Sequence, residues 1–129
     1  MTRGHAMADN ERIIRDFIAA WSRMDASELA GYFTEEGCYY NMPTQPVKGR
    51  ANVEAFIAGF TSNWTETTWE LRNIAAVGDI VYTERLDRTR TKVGNVDLPS
   101  FGVFEMQDGK IREWRDYFDL GTFMNAMKG

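Results

Sequence analysis

Apolar positions change period near the middle of the chain, and that change predicts its architecture. Ile13, Ile14, Phe17, Ile18 and Trp21 recur at helical spacing behind Asp9, which suits an N-cap, so an amphipathic helix is expected to start there. Asp25 and Ser27 offer caps for a short second helix carrying Leu29 and Phe33, ending at Glu35-Glu36-Gly37. Cys38-Tyr39-Tyr40-Asn41-Met42 is aromatic and closed by Pro43, as suits a strand leaving a sheet, with a loop on to Gly49. Val53, Phe56, Ile57 and Phe60 then fall on one face of a third helix over 50–60.

Beyond Thr65 the sequence becomes rich in Thr, Val, Tyr and Trp, with turns at Val77-Gly78-Asp79, Val93-Gly94-Asn95 and Gln107-Asp108-Gly109. Four antiparallel strands are expected at about 68–76, 80–92, 96–106 and 110–118, followed by a helix over 120–127. This order predicts an α+β fold: a curved, mainly antiparallel sheet packed on three helices of the N-terminal half, forming a cone with an apolar pocket, plus a short C-terminal helix. One domain over 8–129 is expected, preceded by a disordered or tag-derived terminus over 1–7, with Met7 as a candidate start.

Composition narrows the function. Four Trp and eight Phe in 129 residues supply more bulky apolar surface than a core of this size usually needs, which favours a pocket wall. A net charge of -4 without a separate basic run argues against nucleic acid, and no apolar stretch approaches the roughly 20 residues that span a bilayer. The lone Cys38 excludes an internal disulfide and suits a reduced, cytoplasmic setting. His5 is the only histidine and stands in the terminal segment, so imidazole-based metal sites and triads are not expected; the scattered methionines read as packing residues. Catalysis, if present, falls to carboxylates.

Strand parity then selects the candidates. Arg85 and Asp87 share a face with Val81 and Thr83; Tyr39 shares one with Asn41; Asp116 shares one with Trp114 and Phe118. A carboxylate among bulky apolar partners must meet a cation or hold a proton, and Arg85 is the available cation. One guanidinium can hold two carboxylates. If Asp87 takes the drier position and keeps its proton while Asp116 stays ionised, the pair contains both an acid and a base.

The blocks Tyr39-Tyr40-Asn41-Met42-Pro43, 81–87, Gly102-Val103-Phe104 and 114–120 resemble those of the limonene-1,2-epoxide hydrolases, within the nuclear-transport-factor-2-like or SnoaL-like superfamily. That resemblance implies Asp116 as general base, Asp87 as general acid, Arg85 as the bridge, and Tyr39 and Asn41 as holders of the attacking water. It also implies a homodimer, no metal or organic cofactor, and a small hydrophobic epoxide resembling limonene-1,2-epoxide as the substrate that water opens to a vicinal diol. Phe60, Trp64, Leu98, Phe118 and Phe123 are candidate pocket residues, though each also suits a plain core.

Two other functions fit the fold: an isomerase or cyclase of the ketosteroid isomerase or polyketide cyclase type, and a non-catalytic module for a hydrophobic ligand. Glu84, Arg88, Arg90 and Lys92 read as a solvated strand face, Asp119 as a helix cap, and Gly49-Arg50 as a turn.

Overall fold

The computed structural model describes the backbone of residues 3–128 and the side chains of 9–128. Helix α1 (Arg3–Ala20) continues as a 3-10 turn over Trp21–Arg23 and leads to α2 (Ala26–Ala30). Strand β1 (Phe33–Asn41), the short β2 (Pro46–Lys48) and α3 (Arg50–Phe60) follow. The second half is β3 (Trp64–Val77), β4 (Ile80–Thr91), β5 (Asn95–Gln107) and β6 (Lys110–Phe118), closed by α4 (Leu120–Met127).

Among the described residues, six strands form one sheet in the order β2-β1-β6-β5-β4-β3. The β3 to β6 meander is antiparallel, as its hairpin turns predict, while β1 joins β6 in parallel. The helical half makes that parallel pairing possible, because β1 enters from α2 rather than from a hairpin. It sets Tyr39 beside Trp114 and Asn41 beside Asp116. Along β4, buried Val81, Thr83, Arg85, Asp87 and Thr89 alternate with exposed or partly exposed residues, as a one-sided strand requires.

Aromatic rings fill the space between helices and sheet. Trp21 stacks on Trp69 with centroids 4.2 Å apart, and Tyr39 stacks on Trp114 at 4.3 Å. Phe17 meets Phe33, Phe104 and Trp114 edge-on. Each such pair adds about 0.5–1.5 kcal/mol to what burial of its area contributes.

Local expectations are corrected in the N-terminal half. Asp9 does not cap α1; helical backbone runs upstream of it, and its carboxylate accepts from Arg12 at 3.1 Å, an arrangement an exposed helix interior tolerates. Of the expected terminal segment over 1–7, residues 1 and 2 lie outside the described residues and α1 begins at Arg3. Phe33 belongs to β1, paired with Ile111, and Glu35-Glu36-Gly37 forms an irregularity within that strand instead of a break before it. The expected loop before Gly49 contains β2, paired with Cys38–Tyr40 and too short to show a period. Both the 110–118 strand and the 120–127 helix fall at their expected bounds. Asp119 caps α4 by accepting from the Thr122 N–H at 2.9 Å. Among the described residues, no helix is long and apolar enough to cross a membrane.

Candidate active site

Arg85 lies on the inward face of β4 with its side chain fully buried. Its Nε donates to Asp87 Oδ1 at 3.0 Å and its Nη2 to Asp87 Oδ2 at 2.9 Å, so that carboxylate is gripped at both oxygens. Nη2 also donates to Asp116 Oδ2 at 2.9 Å, and Nη1 donates to Thr83 Oγ1 at 3.1 Å. The guanidinium carbon stands 4.7 Å from the Trp69 ring centre and 5.7 Å from that of Trp114, so aromatic rings replace water around the charge.

The reach of Arg85 depends on a residue with no side chain. Arg85 is on β4 and Asp116 on β6, with β5 between them. Gly102 of β5 pairs with Thr83 on one side and Asp116 on the other. A Cβ at Gly102 would stand 2.9 Å from Arg85 Nη1, 2.8 Å from Thr83 Oγ1 and 2.9 Å from Trp114 Nε1. The guanidinium therefore crosses β5 through space that any other residue would occupy.

The two carboxylates differ in what remains free. Both oxygens of Asp87 accept from Arg85, whereas Asp116 Oδ1 is buried with no partner in hydrogen-bonding geometry, although the Trp114 N–H, itself without one, lies close enough to favour the ionised carboxylate. Burial raises Asp116 from an ordinary 3.8 to about 6, against the opposing pull of Arg85 and with a further push from Asp87. Burial alone would lower the pKa of Arg85, and its two carboxylates more than reverse that. The Tyr39 phenol is held well above its usual range by burial and by Asp116, so it remains an O–H donor. The Asp87 and Asp116 side chains are buried alike, 7% and 5% exposed, so exposure does not single out a drier carboxylate.

That cavity has a volume of about 280 Å³. Tyr39, Asn41, Asp87 and Asp116 form its polar floor, and Phe60, Trp64, Leu98, Phe118 and Phe123 all contribute to its walls. Trp69, Phe56, Thr89 and Val96 also line it and were not singled out from the sequence. Trp69 faces Asp87 across the β3–β4 pair, but a register shift between Leu71 and Asn73 hides this from residue counting. Gly102 was legible as a glycine inside a strand pattern, a sign of close approach. Glu84, Arg88, Arg90 and Lys92 are exposed, as their charge pattern predicts.

A profile of the limonene-1,2-epoxide hydrolase catalytic domain matches residues 8–128. Over 61 residues the chain is 43% identical to epoxide hydrolase EphG of Mycobacterium tuberculosis, a stretch covering 46% of this chain and 41% of that protein. The match thus spans less than half of that relative's length. Among solved structures, an M. tuberculosis LEH-like epoxide hydrolase superposes with a TM-score of 0.82 at 24% identity, over 95% of this chain and 91% of its own. A protein described as a SnoaL-like polyketide cyclase from Shewanella denitrificans gives 0.82 at 14% identity, over 92% and 96%. At these identities the two structures show a common fold.

Gly102→Ala should displace the guanidinium and lower the unfolding free energy by about 1–3 kcal/mol, whereas Val103→Ala on the other face should cost less; denaturant titration measures both. For Asp116, the folded-state pKa lies above the unfolded value, so the stability this group contributes is present below about 3.8 and lost as pH rises through about 6. Asp116→Asn removes that loss, and its stability relative to the parent should rise by up to about 3 kcal/mol between pH 4 and pH 7 in the same titrations.

Proposed function

Because the chain belongs to the limonene-1,2-epoxide hydrolase catalytic domain family, we propose that it adds water to a small, mostly hydrophobic epoxide resembling limonene-1,2-epoxide, giving a vicinal diol in one step. The observation that carries this reading is a single arginine holding two buried carboxylates at the floor of an apolar cavity, one with an oxygen left free.

In this mechanism Asp116 Oδ1 is the base. A water between it, Asn41 and Tyr39 donates one proton to Oδ1 and the other to the Asn41 side-chain amide oxygen, and accepts from the Tyr39 O–H. Its remaining lone pair is left for the epoxide carbon. As the new carbon–oxygen bond forms and the ring bond breaks, Asp87 gives its proton to the departing oxygen and Asp116 takes one from the water. Ring strain removes the need for a covalent intermediate. The product carries one oxygen from water, and a proton passed from Asp116 back to Asp87 resets the site.

Arg85 tunes this exchange. With both acids ionised the buried group carries a net negative charge, and one shared proton neutralises it. With a pKa raised to about 6, Asp116 is ionised at neutral pH and ready to accept a proton, and the mechanism assigns the shared proton to Asp87, from which the epoxide oxygen receives it. An isomerase would need a base and an oxyanion donor but no arginine joining two acids, so this arrangement favours hydrolysis.

The residues assigned to the reaction are side chains and a water, and no step calls for a metal or organic cofactor. We also propose a homodimer built on the outer sheet face, where Phe101 and Tyr117 lie side by side in register and are each 43% exposed.

Single turnover in heavy-oxygen water should place one solvent oxygen in every diol; unlabelled oxygen in the first turnover would mean an enzyme ester and end the one-step mechanism. Asp116→Asn should lower kcat by about two to four orders of magnitude, and the parent should lose activity as pH falls through about 6, where Asp116 takes up a proton. Sedimentation should report a dimer that Phe101→Lys dissociates; a monomeric parent would refute the assembly.

A further inference from the structure

A buried polar side chain in the wall of the cavity is unused by this mechanism. Thr89 follows Asp87 by two residues on the inward face of β4 and is 4% exposed. It lines the cavity among apolar neighbours: Val96 is its partner on β5, and Leu98 stands opposite Asp87 one step nearer the floor. Thr44, also in the lining, already commits its hydroxyl to the Asn41 carbonyl at 3.0 Å.

The hydrogen bonds around Thr89 leave it with spare capacity. Trp69 Nε1 donates to Thr67 Oγ1 at 3.0 Å, and an indole N–H can only donate. Thr67 Oγ1 lies 2.7 Å from Thr89 Oγ1 and 3.2 Å from the Arg88 carbonyl, which can only accept. If Thr67 gives its proton to that carbonyl, Thr89 donates to Thr67 and keeps its own lone pairs open. If Thr67 donates to Thr89 instead, the Thr89 proton is the group left over. In either case one hydrogen-bonding valence of Thr89 is unspent, and a ligand hydroxyl, both donor and acceptor, satisfies both cases. A carbonyl or an ammonium satisfies only one.

Position gives this valence a use. Two residues along a strand separate Asp87 from Thr89 by about 7 Å, and both belong to the lining of one cavity. Resting on the epoxide hydrolase reading above, we propose that Thr89 is a specificity-determining residue for epoxides that carry a hydroxyl group about 7 Å from the ring oxygen. The hydrocarbon between the two groups would lie against Trp69 and Leu98. The Thr67–Trp69 pair is the positioning element, since Thr67, held by the Trp69 N–H, anchors the Thr89 oxygen at 2.7 Å. A buried polar group discriminates strongly when a substrate lacks its partner, which makes selection for the hydroxyl more effective than selection by shape alone.

The test uses two epoxides with one carbon skeleton, the first bearing that hydroxyl and the second a hydrogen in its place. Diol formation gives the ratio of their kcat/KM values, and quenching of tryptophan fluorescence gives the ratio of their affinities, since Trp64 and Trp69 line the cavity. The parent should favour the hydroxylated compound by about tenfold or more, the net worth of one hydrogen bond, mainly through KM. Thr89→Val should bring the ratio to about one, and Thr89→Ser should restore most of it. Equal loss on both substrates with the ratio intact would mean a purely structural role and would overturn the proposal. So would a parent that converts both compounds equally well, which would leave the hydrolase reading standing. Should neither compound yield diol while Thr89-dependent selective binding persists, the hydrolase reading fails and the hydroxyl subsite stands.

Discussion

A guanidinium taken wholly out of water must be neutralised where it lies, and most of this protein is arranged around that requirement. Arg85 has no exposed side-chain surface, and an isolated charge in such a position would cost more than a domain of this size can supply. Two carboxylates and a threonine hydroxyl share its donors, and two indole rings cover its plane. Replacing any one partner leaves the others with unmet charge, so these groups behave as a unit in both stability and chemistry.

Holding two like charges on one cation also makes them unequal. Asp87 spends both oxygens on Arg85, while Asp116 spends one and leaves the other in a dry floor. Desolvation then raises Asp116 toward neutrality, the range in which a base can both exist ionised and accept a proton. The stability cost of that burial and the usefulness of the group as a base have the same physical origin.

The sheet supplies this arrangement through pairings between distant segments. Parallel contact of β1 with β6 brings Asn41 beside Asp116, and the meander brings Thr83 and Gly102 into the same row. The aromatic residues that made the composition unusual are divided between packing and enclosure. Trp21 and Phe17 are wholly core, Phe60 and Phe123 are wall, and Trp69 and Tyr39 serve both.

Much of this was legible along the chain. Helical spacing over 13–21 and 50–60, and alternation across the second half, followed from where apolar side chains must point, and those rules are local. The same parity put Arg85 with Asp87 and Asp116 with Phe118, because a strand has only two faces. Periodicity could not give the parallel β1–β6 pairing, the Leu71/Asn73 register shift or the three-residue β2, since each depends on partners remote in sequence. Which carboxylate would be gripped at both oxygens was likewise beyond any local rule. It was decided by the tertiary fold, in which a glycine on the intervening strand leaves the space through which one arginine holds the carboxylate of its own strand and reaches the one beyond, and burial there sets the balance of charge.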